Sequence, residues 1–98
     1  MTIQQTRNEN ALTIALEGRL DTMTAPELEA ALKTALEGVV ELTFDFEKLD
    51  YISSAGLRVL LAAQKTMNRQ GSMKVVHVNE IIMEIFEVTG FSDILTIG

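Results

Sequence analysis

Two adjacent hydroxyls, Ser53 and Ser54, stand where a strand pattern gives way to a long apolar helix pattern, in the run Leu49-Asp50-Tyr51-Ile52-Ser53-Ser54-Ala55-Gly56-Leu57. A serine at a helix start can accept a backbone N–H and cap the helix. The same position suits a phosphate, because a helix start presents unpaired N–H groups and roughly +0.5 of an elementary charge. Capping and phosphate acceptance are therefore the two chemistries open to this pair. Other chemistries lack parts. His77 is the single histidine and falls inside a strand pattern between Val76 and Val78, where a structural role is expected, so no Ser-His-acid set assembles. There is no phosphate loop, no dinucleotide loop and no Gly-x-Ser-x-Gly frame around either serine. Asp45 and Glu47 read as solvated charge on the polar face of a strand. With no cysteine there is no thiolate nucleophile, disulfide or Cys-based zinc site. The reading is a protein that is not an enzyme and carries no metal and no cofactor.

Positioning the serines requires a sheet and helices around them. Ile3 to Arg7 and Ala11 to Glu17 read as two strands joined through Asn8-Glu9-Asn10, with Leu12, Ile14 and Leu16 alternating and Gly18 ending the second. Thr24-Ala25-Pro26-Glu27 has the form of a capping box, with proline in the first turn. Leu28, Ala31, Leu32, Ala35 and Leu36 then follow helical spacing, and Gly38 fits the C-cap. Val40 to Phe46 alternates as a strand. Gly56 to Arg69 reads as a helix with a wide apolar surface, stopped at Gly71. Met73 to Val78 reads as a central strand, and Asn79 caps a short helix that ends at Gly90. Leu95 to Ile97 suggests a brief edge strand. The order β-β-α-β-α-β-α-β implies an α/β fold: a mixed sheet of about four to five strands with three or so helices, parallel through its later crossovers.

Ninety-eight residues suit one domain spanning 1–98. Residues 1–50 hold ten acidic and four basic side chains, a net −6, whereas residues 51–98 hold four of each. An acidic chain of this kind lacks the basic footprint of a nucleic-acid binder and is repelled by anionic lipid surfaces. No apolar run reaches the ~18 residues of a membrane span, and the start shows no basic-then-apolar signal pattern. A cytoplasmic protein without direct nucleic-acid or membrane contact is expected.

The serine run also resembles the motif of STAS domains, in particular the bacterial anti-sigma factor antagonists, whose third strand leads into an (Asp/Ser)-Ser-x-Gly-Leu turn. Ser53-Ser54-Ala55-Gly56-Leu57 matches that turn. Gly18-Arg19-Leu20-Asp21 followed by Thr24-Ala25 resembles the family's Gly-x-Leu-Asp…Thr-Ala element, and Val78-Asn79 with Ile85-Phe86-Glu87-Val88-Thr89-Gly90-Phe91 its late helix and loop. The likeness runs from about residue 3 to residue 97.

That resemblance implies a STAS-type fold and a phosphoprotein switch in transcription regulation. The unmodified antagonist would bind an anti-sigma factor that is also a serine kinase. Phosphorylation would release it, and a PP2C-type phosphatase would reset it. Carried over, the phosphorylated residue is Ser54. Many members have Asp directly before it; here Ser53 takes that place and is the second candidate. Asp21, Thr22, Ser53, Ser54, Ala55, Gly56 and Arg58 would form the partner-binding surface. Beyond the resemblance, Arg58, Lys65 and Arg69 share a helix stripe that reads as a solvated face, with Arg58 meeting the phosphate or an acidic partner patch as the sharper alternative. Met23 and Met83 read as ordinary exposed or core methionines, with adaptable apolar contacts as the alternative. Two rivals stand beside this reading: a STAS scaffold subunit of a lipid-transport ATPase complex that needs no phosphorylation, and a small ligand-binding or weakly NTP-hydrolysing domain.

Overall fold

The computed structural model describes residues 1–98. Its elements are β1 (Thr2–Asn8), β2 (Ala11–Leu20), α1 (Ala25–Ala35), β3 (Glu41–Ile52), α2 (Ser54–Gln70), β4 (Ser72–Val76), α3 (Glu80–Thr89) and a short 3-10 turn at Phe91–Asp93. The strands form one sheet in the order β1-β2-β3-β4, antiparallel between the first two and parallel across the others. Right-handed crossovers that advance one strand at a time in one direction put their helices on the same face. Leu12, Ile14, Leu16, Leu42, Phe44, Phe46, Met73 and Val75 accordingly meet the apolar sides of the helices in a single core. Phe86 of α3 lies against Phe46, with ring centroids 6.5 Å apart. The opposite face carries Thr13, Ala15, Thr43 and Asp45, which are only half-buried. Parallel strands are usually covered on both faces; small and polar side chains leave this face open to water.

Several boundaries differ from the sequence reading for physical reasons. β2 passes through Gly18 (φ +103) to Leu20, and β3 runs on to Ile52, because two register shifts, one after Ala15 and one after Gly18, let both strands keep pairing beyond them. The chain therefore enters the serine turn straight from a strand, and α2 starts at Ser54 rather than at Gly56. β4 is an edge strand rather than a central one. The Leu95 to Ile97 segment contributes one bridge to it, Ile97 beside Val75, with the Val75 N–H donating to the Thr96 carbonyl at 2.9 Å. The C-cap of α1 is Leu36, and Gly38 lies beyond it with φ +75. At the far end of α2, the Gln70 amide donates to the carbonyls of Leu36 and Val39 at 2.7 Å each, tying α2 to the end of α1.

His77 also departs from expectation. It lies past the end of β4 in the left-handed region (φ +58), with a side chain 61% exposed and Nδ1 2.9 Å from Asp45 Oδ1. The hydrogen bond and charge of Asp45 raise the His77 pKa above its ordinary 6.5, and the hydrogen bond from His77 holds Asp45 below its ordinary 3.8. Protonated His77 thus favours the folded state below pH ~6.5, a contribution lost as pH rises through the raised value. Ionised Asp45 favours it above pH ~3.8, a contribution lost as pH falls through the lowered value. Replacing His77 with Gln is expected to lower the melting temperature near pH ~5.5 and to leave it almost unchanged near pH ~8.5, read by thermal melts of both proteins at both pH values.

Candidate functional site

The serine turn is built by an extension of the β2–β3 ladder. Arg19 pairs with Tyr51 and Leu20 with Ile52, and the Ser53 N–H then donates to the Leu20 carbonyl at 2.9 Å. Beyond Leu20 the two chains part. The division of labour between the serines follows from the backbone. Ser53 is extended (φ −99, ψ 176) and is the N-cap of α2: its Oγ accepts from the Gly56 N–H at 3.5 Å, and its carbonyl accepts from the Leu57 N–H at 2.9 Å. Ser54 is the first helical residue and is exposed. Serine is among the good caps, so Ser53 fills this position with its own hydroxyl. Gly56 is buried rather than presented. A Cβ there would lie 2.7 Å from Leu20 Cγ and 2.8 Å from Ile52 Cγ1, so the close approach of α2 to both strand ends requires glycine. Ala55 is half-buried against the core, and Arg58 is exposed.

Beside this turn lies the β2–α1 loop, folded around Asp21. Its Oδ1 accepts from the N–H groups of Met23 at 3.0 Å and Thr24 at 3.1 Å. The Thr24 hydroxyl accepts from the Asp21 N–H at 2.9 Å and donates to the Arg19 carbonyl at 2.7 Å. The Thr24 N–H is the main cause that holds the Asp21 carboxyl below its ordinary range; desolvation opposes it, and the Met23 N–H, the Thr24 hydroxyl and Arg19 add to it. The expected Thr24–Glu27 capping box does not form: Thr24 makes no side-chain cap bond to α1, because its hydroxyl is spent inside this turn. The loop is thereby held in one shape, with Thr22 and Met23 exposed at its tip, Met23 by 84%. The Arg19 guanidinium lies 4.5 Å from the Tyr51 ring centroid and 3.8 Å from Asp21.

Ser53, Ser54, Ala55, Gly56 and Arg58 thus belong to one helix start, and Asp21 and Thr22 to the loop joined to it through Leu20. Arg19, Tyr51 and Thr24 are not among the site residues expected from the sequence, where Thr24 is read as the cap of α1 and Arg19 as part of the Gly-x-Leu-Asp element. Thr24 had a readable signal, since Asp-x-x-Thr allows a turn closed by its own side chains; the Arg19–Tyr51 contact exists only through strand pairing. Met83 is half-buried against the core. Away from the turn, Asp45, Glu47 and His77 bring donor atoms within 4.8 Å of one another on the solvent side of the sheet. A groove of about 630 Å³ between α1 and α2 is lined by Leu32, Leu36, Val59 and Ala63, with Glu29 and Lys33 at its sides. No helix is long and apolar enough to cross a membrane.

The sheet order and the two adjoining loops can be compared with known proteins. The family model described as Mlab, STAS domain matches residues 3–96. The chain belongs to the STAS domain family. This STAS domain is 30% identical over 93 residues to the anti-sigma-B factor antagonist of Bacillus subtilis, covering 94% of this chain and 85% of that protein. It is 33% identical over 94 residues to the anti-sigma-B factor antagonist of Listeria monocytogenes, covering 93% and 82%. Among solved structures, the anti-sigma factor antagonist SpoIIAA in its unphosphorylated form matches with a TM-score of 0.78 at 19% identity, covering 99% of this chain and 87% of that one. SpoIIAA in the phosphorylated form matches with a TM-score of 0.77 at 19% identity, covering 99% and 91%. These structures share the fold of the STAS domain.

Two substitutions test the geometry of the turn. Gly56→Ala gains up to ~1 kcal/mol of helix propensity but forces an overpacking that costs roughly 1–3 kcal/mol. A net loss of stability, seen as a lower midpoint in urea unfolding, is expected. The first turn of α2 contains no acidic residue. Ser54→Glu, relative to Ser54→Ala, should therefore stabilise the fold by about 0.3–1 kcal/mol through the helix dipole, read in the same unfolding experiment.

Proposed function

We propose that this STAS domain is an anti-sigma factor antagonist whose unphosphorylated form binds an anti-sigma factor/serine kinase, frees the sigma factor and is switched off by phosphorylation at Ser54. The observation that carries the reading is the separation of roles at the turn. Ser53 caps α2, and Ser54 stands exposed at the first helical position, free of that structural duty. A phosphate on Ser54 adds about −1.5 to −2 charges beside a favourable helix dipole, so the fold tolerates it. A partner packed over the same spot would meet a bulky anion. A loss of a few kcal/mol at the centre of an interface lowers affinity by orders of magnitude, each ~1.4 kcal/mol being tenfold.

The names of the relatives support the antagonist role, and the likeness to SpoIIAA in both phosphorylated and unphosphorylated forms fits a modification that leaves the fold in place. In this reading the domain is itself no catalyst. A PP2C-type phosphatase returns it to the binding form, and the Asp21 loop supplies the second wall of the contact surface through Thr22 and Met23. The setting is the cytoplasm, where sigma factors act.

The test is intact-mass measurement after incubation with ATP and each anti-sigma factor kinase encoded in the same genome. Wild type and Ser53→Ala are expected to gain one phosphate and Ser54→Ala none, and the phosphorylated chain to lose its complex with that kinase on size-exclusion chromatography. Phosphate on Ser54→Ala but not on Ser53→Ala would move the site to Ser53. No phosphate on any of the three would overturn the switch and favour a scaffold role.

A further inference from the structure

The charge of this protein is distributed in a way that the phosphorylation switch alone does not require. The chain has 14 acidic and 8 basic residues, yet α2, at 17 residues, carries Arg58, Lys65 and Arg69 and no acid at all. At 3.6 residues per turn these three side chains fall within a sector of about 40° and span about 16 Å of helix. All three are exposed, and the protein's two ion pairs, Arg19 with Asp21 and Asp45 with His77, involve none of them. Ser54 lies on the edge of the same sector, one turn before Arg58. Exposed helices ordinarily intersperse acids and bases, and like charges four residues apart, as at Lys65 and Arg69, are mildly destabilising. The helix dipole accounts for Arg69 in the last turn; it does not account for Arg58 in the second.

The geometry points to the outer crest of α2 as a cationic docking strip for a carboxylate-rich surface of the anti-sigma factor kinase, a proposal that rests on the switch reading above. Charge complementarity carries it: a strip of +3 on a protein of net −6 attracts an acidic surface locally while the rest of the molecule repels one. It also gives the phosphate a second effect. At the end of the strip, next to Arg58, it reduces the charge of α2 from +3 to about +1 and so weakens the attraction that brought the partner in. Release then comes from lost attraction along the helix as well as from crowding at the turn.

The test uses the kinase found to phosphorylate Ser54, held in ADP so that no transfer occurs, and the unphosphorylated full chain, with affinity measured by titration calorimetry over a range of salt concentrations. Lys65→Glu combined with Arg69→Glu, more than two turns from Ser54, is expected to weaken binding about tenfold or more and to flatten its dependence on salt. The neutral pair Lys65→Gln with Arg69→Gln should give a smaller change in the same direction. Lys74→Glu, on the open face of the sheet away from α2, should leave both readouts unchanged. Circular dichroism confirms the fold of each variant. Unaltered affinity and salt slope in the Lys65/Arg69 variants, while the kinase still phosphorylates Ser54, would overturn the strip and leave the switch standing. A Lys74 effect as large as theirs would also overturn it. Failure of every kinase to modify Ser54 would remove the switch and the strip together.

Discussion

One backbone hydrogen bond, from the Ser53 N–H to the Leu20 carbonyl, sets the geometry on which the candidate site depends. It prolongs the parallel ladder of β2 and β3 past its last residue pair, so the two chains leave the sheet from a common point. α2 begins at the next residue, and the Asp21 loop begins on the other side of the same bond. Gly56 completes the constraint, since only the absence of a Cβ lets α2 lie this close to Leu20 and Ile52. The side chains of the candidate site are thus carried by two elements that cannot shift independently.

The two serines illustrate how neighbouring hydroxyls of the same type acquire different work. Capping calls for the extended backbone that Ser53 has, whereas Ser54 has already entered the helix and can only point outward. Serine at the capping position supplies the hydrogen bond to the helix without adding a charge. That leaves the first turn of α2 without any acid, so an added phosphate meets a helix start that no carboxylate has already neutralised. The Asp21 loop shows the complementary economy. Its carboxylate and the Thr24 hydroxyl are consumed in holding the turn, which leaves Thr22 and Met23 to face outward from a fixed base.

Much of this was readable residue by residue. The alternation of Leu42, Phe44 and Phe46, the helical spacing from Leu28 to Leu36 and the Asn79 cap all depend on neighbours within a few positions, and each appears in the structure. The cationic stripe of α2 was legible for the same reason, because helical phase alone places Arg58, Lys65 and Arg69 together. The misreadings share the opposite cause. Thr24 was assigned to the α1 cap on a local motif, but a competing local turn closed by Asp21 took its hydroxyl. His77 looked like a strand residue; where β4 stops depends on β3, whose pairing with it ends at Asp45 and Val76.

By itself, then, the sequence determined the four main strands and the three helices, where the charges lie along each, and that a serine pair opens α2, because periodicity, capping and charge act over distances of one or two helical turns. Only the tertiary structure decided that β4 is an edge, that Arg19 covers Tyr51, that Gly56 is pinned between Leu20 and Ile52, and which serine is left free. Those outcomes depend on hydrogen bonds and contacts between residues some thirty positions apart. Their partners are chosen by the register of the whole sheet rather than by any nearby residue.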